Sequence, residues 1–501
     1  MKQSGLKVST MSKSVKNGSL YLLQIAISGI LMLVLMPIIS KYLLPNELGM
    51  FILAQVYTGI AVGIANLGML VGYERNFFIF EKLSDKSALL ISSAVAFIAF
   101  NLLVIIALVY LFQIEINALI FSTNPPSDLL IIVLIGTSAS SLSQYYLTFL
   151  KNSGMALGYI KYTIVNSIIY FLVAILLITQ LKLGSMSLAY AWVISNLTLF
   201  TLLFLNFKKK LTLGFDTGML KEMLKISLPL TPRVFFGTIN THADKILLGF
   251  IGSSSLVGVY HMGQTFASII FQFMTGLGRV FQPEIYRKLF SNKYIDNSYE
   301  INNYLLPFFY FSIFIALVIA VFSREIVFIL LSNEYQNSAP IIIILSVYYS
   351  LMFFGKVTGA QLIYAKKTHI TTLLMFLGIA INVSLNIPFI IAWGIIGAAW
   401  ATTISGVIMT IVGVFIAHKY VKIAWQWRVV FTIFGLYLVA VVFSLVDYNF
   451  SIHSQVSLLI RLLIIFIYIV IGRMLGFLSL SEIRKLIFTK KGEAEFEVFK
   501  G

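Results

Sequence analysis

Apolar stretches of about twenty residues, the length a helix needs to cross a bilayer, recur along almost the whole of this 501-residue chain. Fourteen such segments fall near 19–39, 49–72, 88–112, 128–150, 158–180, 184–207, 226–248, 256–281, 303–331, 338–362, 370–391, 395–417, 429–446 and 454–476. The expected class is therefore an all-α polytopic membrane protein. Its 11% of charged residues compares with about 25% in a soluble domain. The seventh segment is the least apolar. Within "GTINTHADKILLGF" (237–250) it carries Asn240, His242, Asp244 and Lys245, and ionisable groups in a bilayer are costly and retained mainly for function.

The distribution of basic residues tests whether that segment crosses. With the N-terminus inside, 29 of the 36 Lys and Arg fall on the inner side, and only Lys41, Lys182, Lys245 and Arg324 fall outside. Demoting the seventh segment to the surface would place the basic loops at 279–293 and 419–428 outside, so it is expected to span, with both termini cytoplasmic. The net charge of +17 lies in short blocks between apolar runs. That pattern fits cytoplasmic loops near anionic lipid and not nucleic acid. Because cysteine is absent, disulfides, thiol catalysis and cysteine-bound zinc are excluded. The basic N-terminus precedes a long apolar run without a small-residue cleavage site, which reads as a retained first helix.

The chain carries an internal duplication. "ELGMFILAQ" (47–55) matches "LVGVYHMGQ" (256–264), aligning Gly49 with Gly258 and Gln55 with Gln264; Lys16 aligns with Lys225, and "GSMSLAYAWVIS" (184–195) with "GIIGAAWATTIS" (394–405). A recurrent register over some two hundred residues indicates a repeated six-helix unit. Six is even, so the copies share one orientation, related by an axis along the membrane normal. The expected organisation is a lobe over 1–210, a second over 211–420, and two further helices with a basic cytoplasmic tail over 421–501.

Transporter sites lie at repeat interfaces. On the second span Gln55, Gly59, Asn66 and Tyr73 form one stripe, matched on the eighth by Gln264, Ser268, Thr275 and Gln282. Such a stripe must face protein or a water-filled cavity. Arg233, Gly237, Asn240 and Asp244 share one face of the seventh span, with His242 opposite and Lys245 expected to snorkel outward. Arg233 lies roughly 12 Å from the inner end and calls for an anionic partner or water.

"ADKILLGFIGSSSLVGVYHMGQTF" resembles a segment typical of the polysaccharide-export branch of the multidrug/oligosaccharidyl-lipid/polysaccharide transporter superfamily: an Asp followed by a basic residue, a Leu-rich run with Gly, a short polar loop, and Gly-Val-Tyr. "LLPNELGMFILAQ" resembles the matching first-loop segment and "GYERNFF" the inner end of the second span, so the resemblance covers residues 19 to about 417. It implies two six-helix lobes in a V around a central cavity. It also implies a flippase that moves polyprenyl-pyrophosphate-linked oligosaccharide, of the O-antigen or exopolysaccharide type, across the bacterial inner membrane, alongside a polysaccharide polymerase and chain-length proteins. No cofactor or metal is implied.

A pyrophosphate calls for cations in a cavity, and the guanidinium fork suits phosphate. Arg75, Arg233, Arg279 and Lys356 are the candidates, with Arg233 and Lys356 deepest in their spans. Each, taken alone, also reads as a positive-inside anchor. Gln55, Asn66, Gln264, Asn240 and Tyr349, with Thr137, Ser141 and Gln144, are candidates for the glycan, or equally for interhelical hydrogen bonds. Asp244 is the candidate coupling residue; Glu74 and Glu284 sit beside bases and read as salt-bridge partners. A cation-coupled drug antiporter of the same superfamily is the alternative, and by resemblance it would carry an acid in the first span, where residues 19–40 have only Gln24 and Ser28 as polar candidates. No catalytic triad, phosphate-cradling Gly motif or His-metal spacing is present, so no enzymatic activity is expected.

Overall fold

A computed structural model describes residues 23–80, 84–208, 214–290, 294–450 and 454–477. Among the described residues all regular structure is helical, as hydrocarbon requires of a backbone that must satisfy its own hydrogen bonds. The first helix, α1, is Leu23–Tyr42. Then follow α2 (Pro45–Asn66), α3 (Met69–Phe80), α4 (Ser84–Leu111), α5 (Gln113–Ile120), α6 (Leu129–Asn152), α7 (Ala156–Leu176), α8 (Ser185–Lys208), α9 (Thr217–Leu247) and α10 (Ser254–Phe290). The remaining six are α11 (Tyr294–Val321), α12 (Ser323–Leu330), α13 (Ala339–Tyr364), α14 (Thr368–Tyr420), α15 (Trp427–Phe450) and α16 (Ser454–Met474).

Eleven of the described helices are long and apolar enough to cross a membrane, against fourteen expected spans. One difference lies in α14, whose 53 residues contain two expected spans. At Gly394 (φ 58°, ψ −129°) the helical path breaks, and the chain folds back: Asn382 donates to Thr402 at 3.4 Å and Ser405 at 3.1 Å. A side chain on Gly397 would overlap the Phe389 carbonyl. The seventh and eighth segments do form helices, of 31 and 37 residues, but their polar side chains keep them below the apolarity of the others.

Element boundaries recur at a spacing of 210: helix starts at 84 and 294, 113 and 323, and 129 and 339, with positive-φ glycines at 184 and 394. The paired elements α4 and α11 are both 28 residues long, and α5 and α12 both 8.

By contacts the helices group into two units. The first comprises Met1–Phe266, Ile326–Ile341 and Thr372–Ser405. Its core joins Tyr73 and Phe77 of α3 to Leu90 of α4, Tyr145 and Tyr146 of α6, Leu203 and Phe207 of α8, and Met223 of α9. Small residues set the approaches. Gly72 lies against Met223 and Ser227 of α9, and Gly136 of α6 against Val193 of α8. Gly49 and Gly258 meet face to face: a Cβ on Gly49 would overlap the Ser254 carbonyl, and one on Gly258 the Pro45 carbonyl. Residues 45 and 254 occupy equivalent places in the duplication, so the contact is reciprocal.

The second unit comprises Ala267–Glu325, Ile342–Thr371 and Gly406–Gly501. Here α16 is held on α11 by stacked Tyr310 and Tyr468 rings, 4.8 Å apart. Each hydroxyl donates to the other's backbone carbonyl, at 3.2 and 2.8 Å. Arg461 of α16 is buried between Asp447 of α15 and Glu325 of α12, donating to both. Helix α15 extends to Phe450, beyond the expected 446, so Asp447 becomes a buried acid that the sequence reading left outside the spans.

Candidate functional site

In the first unit the polar stretch of α9 meets the start of α10. Asp244, 5% exposed, accepts from the Lys245 backbone N–H at 2.9 Å and from Gln264 Nε2 at 3.2 Å. Lys245, expected to snorkel outward, is instead 7% exposed. His242 is half-buried, and its Nδ1 lies in the interior with no hydrogen-bond partner. Arg233 and Asn240, further along the same α9 face, are exposed. The helix there carries Pro229 and Pro232, each removing one backbone donor, and next to them Phe236 packs edge-on against Phe376 at 5.3 Å.

A cavity of about 340 Å³ opens within the same unit. Its apolar wall comes from Met32, Leu35, Met36 and Ile52; Gln55, Asn166, Trp192 and His261 supply polar groups. Of the polar positions on α2, Gln55 lines this cavity, whereas Asn66 serves packing. Its amide donates to Ser141 at 2.7 Å and accepts from Tyr145 at 2.8 Å. Thr137 likewise takes part in interhelical bonds, with Thr58 and Trp192, both at 3.2 Å. Gln144 is exposed.

In the second unit Lys356 of α13 is half-buried. Its ammonium lies 5.6 Å from the Phe271 ring centroid, its stem runs past Gly278, and the charge of Arg279 acts on it. Tyr349 packs on the same Phe271 at 6.3 Å between centroids. Structure therefore brings Lys356 and Tyr349 together around one ring, with Arg279 near enough for its charge to act on Lys356. Arg75 and Arg233 both belong to the first unit and are exposed. Among the described residues no carboxylate pairs with Arg75, Arg233, Arg279 or Lys356, whereas Lys151 pairs with Glu74, Arg287 with Glu284, Lys288 with Glu300 and Arg461 with Asp447.

A family model described as "Polysaccharide biosynthesis protein" matches residues 38–340, more than half of the chain. The chain belongs to that family. Among curated proteins, the probable low-salt glycan biosynthesis flippase Agl15 of Haloferax volcanii is 24% identical over 226 residues, covering 44% of this chain and 48% of the relative. An uncharacterized membrane protein of Methanocaldococcus jannaschii is 29% identical over 138 residues, 26% of this chain and 27% of the relative. The chain thus spans about half and about a quarter of the length of these curated relatives. In fold it is similar to the lipid II flippase MurJ in an inward closed conformation, with TM-score 0.71, 17% identity, and 90% of this chain and 98% of that one covered. It is also similar to an inward-facing multidrug resistance MATE family transporter of the MOP superfamily, with TM-score 0.59, 14% identity, and coverage of 79% and 94%. The resemblance read from the α9–α10 segment is borne out.

Within this polysaccharide biosynthesis family member, sequence reasoning overlooked Asn166 and His261. Both line the cavity of the first unit, and each has a buried side-chain atom, Oδ1 and Nδ1, without a partner. His261 sits three residues before Gln264, on the same side of α10 as the stripe. That position could have drawn attention to it.

Proposed function

We propose that the protein is a flippase that carries a polyprenyl-pyrophosphate-linked oligosaccharide, an O-antigen or other surface-polysaccharide repeat unit, across the bacterial inner membrane by alternating access. Both termini lie in the cytoplasm, and the working parts are lobes over 1–210 and 211–420. The reading draws support from the family and from the flippase fold. The observation that carries it is that Arg233, within a span, and the half-buried Lys356, like Arg75 and Arg279, have no carboxylate partner among the described residues. An unpaired cation within a span is costly, and a pyrophosphate offers the missing charge. Gln55, Asn240, Gln264 and Tyr349 are proposed to meet glycan hydroxyls, with Asn66 supporting them through packing. Asp244, bound to Gln264, is the proposed coupling residue. A cation-coupled multidrug antiporter is the weaker alternative, since the described α1, Leu23–Tyr42, contains no acidic residue.

Arg233→Ala tests the reading. The side chain is exposed and unpaired among the described residues, so its loss leaves no buried carboxylate stranded. The variant is expected to accumulate in the membrane at wild-type levels and to lose export of lipid-linked glycan. Arg233→Lys is expected to recover part of it, keeping charge but not the fork. Full transport by the Ala variant, or loss of the protein itself, would overturn the assignment.

A further inference from the structure

The wall of the cavity in the first unit runs along α1 from Ser28 to Ile39 and along α2 from Leu48 to Gln55. Between those stretches lies the α1–α2 corner, which the topology proposed above puts outside. The last carbonyls of a helix find no partner within it, and the Leu44 N–H that would continue α1 is turned instead to Glu47 Oε2 at 2.9 Å. A segment 292 residues further along the chain takes the carbonyls of Ser40 and Leu43. Ser332 Oγ donates to the Ser40 carbonyl at 2.6 Å, and Tyr335 OH to the Leu43 carbonyl at 3.0 Å. The Ser332 N–H donates to Ser40 Oγ at 3.3 Å, while the Ser40 hydroxyl donates to the Pro37 carbonyl at 3.0 Å. Ser40 and Tyr335 are buried, and all of these residues belong to the first unit.

The duplication supplies a second contact of the same kind, and it is weaker. Ser122 occupies the place of Ser332 at the spacing of 210, and its Oγ accepts from the Ser254 N–H at 3.3 Å. Pro125 stands where Tyr335 does, and at an offset of 209 Gly249 stands where Ser40 does. Neither has a hydroxyl. Ser122 is exposed, so water competes for its one bond, whereas the bond from Tyr335 is buried.

We propose that these two contacts close the outer end of the cavity as an unequal pair, and that the half built by Ser332 and Tyr335 is the latch whose release sets how often the protein opens outward. The inference deepens the alternating-access reading above and rests on it for its role in transport. Parting the latch exchanges three protein hydrogen bonds for bonds to water, so each contributes only a modest net bias toward the closed side. Tyr335 contributes most, because its bond is shielded from water while the latch is shut. The Ser122–Ser254 half parts readily and does not set the rate. Its bond is single and at the surface, and the positions that would strengthen it are a proline and a glycine.

The test exploits the absence of cysteine from the chain. Gln55→Cys places a single thiol in the cavity, and the full chain in right-side-out vesicles is treated with a membrane-impermeant maleimide. Labelling from outside requires the outer end to open, so its rate reports the population of that state. Tyr335→Phe keeps the ring and removes one bond, and is expected to raise the rate about fivefold, the effect of one hydrogen bond of ordinary net strength. Ser332→Ala is expected to act in the same direction, and Ser122→Ala to change the rate by no more than about twofold. A second measurement leaves the latch residues intact. Tyr42→Cys combined with Asn333→Cys puts thiols at two exposed positions beside the latch. Joining them with a short, cleavable bifunctional thiol reagent is expected to stop flipping of a lipid-linked oligosaccharide in proteoliposomes, and cleaving the link to restore it. Outside labelling that ignores Tyr335→Phe and Ser332→Ala, or that responds as strongly to Ser122→Ala, overturns the proposal, as does full flipping by the linked protein. Latch-dependent labelling in a protein that flips no lipid-linked oligosaccharide counts instead against the flippase reading and leaves the latch standing.

Discussion

The contact between Gly49 and Gly258 offers a perturbation whose size follows from geometry. A methyl group at Gly49 would occupy the place of the Ser254 carbonyl oxygen and come within 3.1 Å of Gly258 N; at Gly258 it would meet the Pro45 carbonyl and lie 3.2 Å from Gly49 N. All four atoms belong to helix backbone, so no rotamer change relieves the overlap and the helices must separate. Overpacking costs about 1–3 kcal/mol and occasionally more, and backbone on both sides puts this site at the upper end. Alanine returns up to about 1 kcal/mol in helix propensity. A net loss of about 2 kcal/mol is expected for Gly49→Ala and for Gly258→Ala, read as a lower apparent Tm in nanodiscs. Gly59, on the same helix with nothing within 4 Å of its would-be Cβ, serves as the control, and Gly59→Ala is expected to be neutral or stabilising. One separation relieves both overlaps, so the double variant should cost about as much as either single one. Additive losses, or equal behaviour of Gly49→Ala and Gly59→Ala, would refute the close reciprocal crossing.

Two further outcomes are expected. A topology reporter fused after Gly252 should read outside and one after Lys210 inside; the reverse would remove the seventh span and the repeat argument with it. Replacing Asp447 with Ala leaves the buried Arg461 with only the partly exposed Glu325 as a carboxylate partner among the described residues and should cost about 3 kcal/mol, visible as loss of protein from the membrane, whereas Arg461→Met combined with apolar replacements at Asp447 and Glu325 should restore accumulation. Failure of the combined variant to recover would mean that the cluster does more than hold α15 and α16 in place.

Fold class was legible because hydropathy and basic-residue asymmetry are properties of whole segments. Orientation was less so. Depth arithmetic puts Lys245 near an interface and hence outward, yet the side chain is buried, near enough to α10 for its charge to act on His261. Spacing placed Gln55 and Asn66 on one stripe, but the partners decide their roles: Asn66 finds Ser141 and Tyr145, while Gln55 finds a cavity. No pattern within α2 distinguishes the two, since the deciding atoms sit on α6, α7 and α8.

The duplication carries more information about function than either copy does. At an offset of 209, Leu35 corresponds to Asp244, Met36 to Lys245, Ile52 to His261 and Gln55 to Gln264. Only the last pair is alike. Leu35, Met36 and Ile52 form apolar wall in the cavity of the first unit; their counterparts are a buried acid, a buried base and a histidine with an unpaired nitrogen. The shared positions, Gly49 with Gly258 and Gly184 with Gly394, fix helix crossings and turns, which both copies need in order to fold. The unshared positions cannot be demanded by that common scaffold, because the apolar copy forms it without them. Since burying ionisable groups in a membrane is costly, the divergence at 244, 245 and 261 is where a requirement other than folding has acted.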